Sequence, residues 1–246
     1  VATDPNFDAD VARAKAIYDQ LGVWIDRYHG GLPAGWVASI ILHESGGNFG
    51  APGDPTLGEV GYLQVAAYVP ALFGYDVSAI QDPESNIAIG ILEYELEAVL
   101  WMLAFPNAVN LGTDDSWKLA RLAFAVGRGG SHQLATLAQQ SLGGLTSGDV
   151  YHDIVKYANA SGGVPLGSQT AAKVKARVLD IDRQWAIGQA VSAGMSGPPM
   201  IIPDPPAGPY TIPPEAAPYF SEPLSGTLLL SLGALVLGYL IYRRFM

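Results

Sequence analysis

The chain has 246 residues, 49% hydrophobic and only 15% charged, enough for one sizeable core with appendages. Its formal net charge of −10 argues against nucleic-acid partners, since no basic patch is available for phosphates. There is no Cys, which excludes disulfides, a thiolate metal site and a cysteine nucleophile.

The first 20 residues carry no apolar run of the signal-peptide kind. A helical period runs from about Asp8 to Tyr28, with Val11, Ala14, Ile17, Tyr18, Leu21, Trp24, Ile25 and Tyr28 three or four apart. Gly30 and Gly31 end it. The segment from Leu32 to Gly47 predicts a second, buried helix. Pro33 suits its first turn, Val37, Ile40 and Ile41 form an apolar face, and Gly46-Gly47 supplies the stop. Glu44 then stands in the last turn. The negative end of the helix dipole and partial burial both disfavour a charged carboxylate there, which makes Glu44 a candidate general acid. The alternative for this segment alone is a solvated Glu at a helix end.

Residues 48–61 are rich in Gly, Pro and Asp and predict a loop with a short hairpin. Gly61-Tyr62-Leu63-Gln64 follows. Asp82 or Ser85 caps the next helix, with Ile87, Ile91, Tyr94, Ala98 and Trp101 on one face and Glu93, Glu95 and Glu97 expected on its exposed side. A helix beginning near Asp115 or Ser116 is broken by Gly127-Arg128-Gly129-Gly130, and Ser131 caps its successor. Asp149 to Ala160 and Ser168 to about Ala193 are two more helices. No stretch before residue 196 alternates at period two, so the class is all-α, a globule of six or seven helices over residues 1–196.

Composition changes at Gly197. Residues 197–223 hold ten prolines and no Lys or Arg, a polyproline-biased linker. Residues 224–242 carry no charge and span about 28 Å as a helix, close to a bilayer core. With Arg243 and Arg244 in the short tail 243–246, they predict a C-terminal transmembrane helix with residues 1–223 outside.

No HExxH, GxSxG, P-loop or GxGxxG motif occurs, and no metal or cofactor is expected. What remains is Glu44-Ser45, then Gly61-Tyr62-Leu63-Gln64, then Asp82-Pro83-Glu84-Ser85-Asn86-Ile87, then Ala123-Phe124-Ala125-Val126-Gly127. In this order the segments resemble the SLT-type lytic transglycosylases, which share a lysozyme-like fold with goose-type lysozymes. The resemblance covers roughly residues 15–180.

The resemblance implies a lysozyme-like helical globule that cleaves peptidoglycan between N-acetylmuramic acid and N-acetylglucosamine. Glu44 would be the sole acid and base, giving a 1,6-anhydro product. Ser45, Gly61, Tyr62, Leu63, Gln64 and Phe124 would bind substrate, with His43 and Asn86 in support. Two departures stand out. The family's A-Y-N-x-G reads Ala123-Phe124-Ala125-Val126-Gly127, without the Asn, and no Tyr lies in about 169–178, where Lys173 is nearest. The resemblance implies glycan strands as partner, and the uncharged run 224–242 adds a lipid bilayer and other virion or envelope membrane proteins. An anchored enzyme without a signal peptide fits a phage virion membrane or ejection device that opens wall locally during genome delivery, or else a bacterial envelope. The alternatives are a hydrolysing goose-type muramidase using Asp54 or Glu59, and a catalytically weak wall-binding or structural membrane protein.

Overall fold

The computed structural model describes residues 4–194. Among them, α-helices dominate and the only β pairing is two isolated bridges, Val60 with Val65 and Leu166 with Gln169. The elements are α1 (Phe7–Tyr28), α2 (Ala34–Ser45), the single turn α3 (Val69–Leu72), a 3-10 turn (Val77–Gln81), α4 (Pro83–Ala104), α5 (Asp114–Val126), α6 (Arg128–Leu142), α7 (Val150–Ser161) and α8 (Ala171–Ala193).

Helix α2 is the centre of the fold. It buries residues from Gly35 to Ile41 without a gap, so it has no solvent face along most of its length. Helix α1 offers Ala14, Ile17, Leu21 and Ile25 to the core, one residue per turn. Helix α8 crosses the other side of α2 at backbone distance. A Cβ on Gly188 would stand 2.7 Å from Trp36 Cα, and one on Gly35 would collide with the Gly188 carbonyl. Ser39 Oγ donates to the Gln184 carbonyl (2.7 Å) and Gly35 N–H to Ser192 Oγ (3.2 Å), fixing the crossing. Trp36 and Trp185 meet edge to face at 4.8 Å. Gly188→Ala is therefore expected to lower stability by roughly 1–3 kcal/mol. Thermal unfolding checks this, and an unchanged midpoint would contradict the close approach.

The termini of the helices follow local chemistry. Asp82 caps α4 by accepting from Ser85 N–H (2.9 Å), and Pro83 occupies the first turn. Gly46, in the left-handed region at φ 63°, ends α2 right after Ser45. Three expectations are corrected. Helix α5 starts at Asp114 and its cap is Thr113, in a reciprocal box with Ser116, where Asp115 or Ser116 was expected as the start. Only Gly127 breaks the chain before α6, because Gly129 and Gly130 are helical. Glu93, Glu95 and Glu97 are buried, since α4 is packed against α1, α5, α6 and the Gly61–Gln64 turn and keeps little solvent face.

The membrane architecture is also corrected. Among the described residues no helix is long and apolar enough to cross a membrane. Helix α2 is apolar but has 12 residues, and the 22-residue α4 carries Glu84, Glu93, Glu95 and Glu97. The expected linker 197–223, transmembrane helix 224–242 and basic tail 243–246 lie outside the described residues. The fold shown is an all-α globule. The bilayer and membrane-protein partners and the single-pass localisation with the domain outside have nothing in it to rest on.

Candidate functional site around Glu44

Glu44 projects from the last turn of α2 and is mostly buried, its side chain 16% exposed. The apolar surroundings expected for it are replaced by a guanidinium. Arg121 of α5, 1% exposed, forms an ion pair with the Glu44 carboxylate through Nη2. The rest of its fork is also used. Nε donates to Gln184 Oε1 (2.9 Å), and Nη1 donates to the Tyr94 hydroxyl (3.3 Å). The Phe124 ring lies 5.5 Å from the guanidinium carbon and stacks on Tyr94 at 5.3 Å. Four helices (α2, α4, α5 and α8) thus meet at one guanidinium, which carries the Glu44 carboxylate.

A second layer extends from Gln184. Its Nε2 donates to Asp180 Oδ2 (2.7 Å) and to His43 Nδ1 (3.0 Å). Accepting there requires an unprotonated Nδ1. Burial, then the nearby Arg121 charge, holds the His43 pKa below its usual value, in agreement with that neutral ring. Asp180 Oδ2 lies 3.3 Å from the same Nδ1, so a protonated His43 would gain an ion pair. His43 thus sits two hydrogen bonds away from the guanidinium that holds Glu44.

The Gly61–Gln64 segment is a tight turn closed by the Val60–Val65 bridge. Gly61 has φ 83°, and a Cβ there would strike the Asn86 amide. Asn86, fully buried, holds the turn from beneath. Its Oδ1 accepts from Leu63 N–H (3.2 Å), and its Nδ2 donates to the Val60 carbonyl (2.9 Å) and, more weakly, to that of Ile80 (3.3 Å). Asn86→Leu is expected to destabilise the domain by about 1–3 kcal/mol in chemical denaturation, because three backbone groups lose their partner; wild-type stability would contradict this bracing role. Gln64 takes φ 51°, unusual for a residue with a side chain. Its Nε2 donates to the Gly61 carbonyl (2.8 Å). Leu63 and Tyr62 are buried, with Tyr62 edge-on to Phe49 at 5.2 Å. Ser45 Oγ donates to the Ile41 carbonyl one turn back (3.1 Å).

The structure therefore places Glu44 and Phe124 against the same Arg121 guanidinium, with His43 in the adjoining layer. It shows Ser45, Gly61, Leu63, Gln64 and Asn86 engaged in holding local backbone. Of the two loop carboxylates, Asp54 turns to Thr56 (Oγ1 to Oδ1, 2.6 Å), whereas Glu59 lies within electrostatic range of Glu44. Burial first, then the neighbouring carboxylates, raises the Glu59 pKa against a backbone hydrogen bond from Asp54.

Arg121, Tyr94, Gln184 and Asp180 were missed from sequence. Arg121 had a signal: it lies four residues after Trp117, on the buried stripe of α5. Among the described residues, no group of three or more His, Asp or Glu side chains is placed to hold a metal ion. A cavity of about 650 Å³ lies along α7, lined by Thr146, Asp149, His152 and Lys156 among others, and shares no residue with the Glu44 cluster.

The chain matches no family model, no curated protein and no solved structure. The expected membrane-anchored transglycosylase that cuts MurNAc–GlcNAc bonds for phage genome delivery is therefore corrected. No match supports its wall chemistry or virion setting, and no described helix can anchor it. What stands is the all-α fold and the Glu44 cluster.

Proposed function

We propose that the domain is an enzyme that cleaves glycosidic bonds, with Glu44 as its acid and base. The observation that carries this reading is the Glu44 carboxylate. It is set at the end of α2 and paired with a buried guanidinium, which side chains of α4 and α8 hold in place. The ordered segments at Glu44-Ser45, Gly61–Gln64 and Asp82–Ile87, with their likeness to SLT-type enzymes, support the same reaction class. Proton transfer at a glycosidic oxygen requires a carboxyl group fixed to within fractions of an ångström. Glu44 gives a proton to the glycosidic oxygen and regains one from the attacking hydroxyl, while the Arg121 fork fixes the group and balances its charge when the proton is away. Glu59, within electrostatic range of Glu44, is a carboxylate that can activate a water.

Purified protein incubated with linear β-linked glycans tests the reading. Soluble fragments are expected, detected by mass spectrometry. Their ends report the route: a reducing end means that water entered, and an internal anhydro ring means that it did not. Unchanged glycan chain length across such polymers would overturn the reading.

A further inference from the structure

Glu93 is a buried acid that the ion pairs of the site leave out. It is 8% exposed, and its Oε2 is buried with no hydrogen-bond partner. It stands on the turn of α4 where that helix meets the site. Gly90, one turn earlier, packs so closely under the Gly61–Gln64 turn that a Cβ would lie 2.6 Å from Leu63 Cδ1. Tyr94, the next residue, reaches Arg121. Glu97, one turn later, is paired with Arg128 of α6, whose Nε lies 3.1 Å from Glu97 Oε2.

The charged groups facing Glu93 come from every side. Glu97 lies on its own helix, Arg128 on α6, Glu59 on the loop, and Glu44 on α2. Two guanidinium groups serve this cluster, and both already hold a carboxylate, Arg121 that of Glu44 and Arg128 that of Glu97. A fourth ionised carboxyl group would leave the cluster with a clear excess of negative charge in a buried place.

We propose that Glu93 is a positioning residue of the Glu44 site, a neutral carboxyl group whose ionisation disturbs the Glu44–Arg121 pair. This rests on the reading of Glu44 as the working carboxylate. Burial first, then Glu97, pushes the Glu93 pKa up to about 8 against the opposing effect of Arg128, so the group is neutral through most of the physiological range. When it ionises, it competes with Glu97 for Arg128 and adds a negative charge near Glu44. The site then loses its charge balance without any change in the Glu44 side chain itself.

The test follows the glutamate side-chain carboxyl carbons by ¹³C NMR in wild type, with E44Q and E93Q assigning the two resonances. One resonance, absent from E93Q, is expected to titrate near pH 8, and the Glu44 resonance is expected to inflect at the same pH in wild type but not in E93Q. If E93Q does not fold, E93M takes its place. In cleavage assays, the alkaline limb of the wild-type profile is expected to move up by at least about one pH unit in E93Q, each profile scaled to its own maximum. A Glu93 resonance titrating in the ordinary carboxylate range would overturn the proposal. So would a Glu44 resonance indifferent to it. The NMR readout needs no turnover, so a lack of glycan cleavage would count against the function alone.

Discussion

Arg121→Met is expected to lower the stability of the domain by roughly 3–5 kcal/mol, a large share of what a domain of this size has. Arg121 is 1% exposed and supplies donors to Glu44, Gln184 and Tyr94 together. Without it, a mostly buried carboxylate has no counter-charge, and the Gln184 Oε1 atom loses its donor. Most of the loss comes from the groups left behind and not from the bond removed. The double variant R121M/E44M should therefore recover a good part of the loss, since apolar groups of similar volume replace both charges. Chemical denaturation of the two single variants and the double variant measures this. R121M at wild-type stability, or a double variant with the summed losses, would show that the pair does not hold the four helices together.

The second large effect is a pH dependence. The Glu93 pKa is raised from 4.5 to about 8 in the fold. A raised folded-state value means that the native protein keeps a proton which the unfolded chain releases. The stabilisation is complete below pH 4.5 and is lost as pH rises through about 8. The expected loss is a few kcal/mol, following the size of the shift. His132 works in the opposite sense. Burial, then Arg128, lowers its pKa to about 4, so its contribution is lost as pH falls below its ordinary 6.5. The two oppose each other only below 6.5, and the window from 6.5 to 8 isolates Glu93. Wild type should lose stability across that window, and E93Q should stay nearly flat. Parallel curves would mean that Glu93 is ionised throughout.

Much of the fold was legible because its helices carry their own punctuation. Asp82 and Pro83 mark the start of α4, Gly46 marks the end of α2, and the stripe of α1 from Ala14 to Ile25 is regular. The reading failed where burial was nearly all-round. An amphipathic pattern assumes a solvent face, and α4 has little of one, so Glu93, Glu95 and Glu97 were assigned to water although they are 7–8% exposed. The candidate site was half legible. Glu44, His43 and Phe124 were found because they lie in or beside recognisable segments. Arg121 and Gln184, 63 residues apart, meet only through the packing of α5 on α8, and nothing local in either helix names the other. Tyr94 was read as an apolar-face residue, since helical spacing says nothing about where a hydroxyl points.

In the proposed reaction Glu44, held by Arg121, breaks glycosidic bonds. The most direct measurement is the initial rate of fragment release from the best-cleaved glycan by wild type and by E44Q, with circular dichroism showing that both are folded. A drop of roughly 10²–10⁴-fold is expected in E44Q, the range for loss of an acid–base group. Equal rates in wild type and folded E44Q would contradict it, and so would a wild type that releases nothing from any β-linked glycan offered.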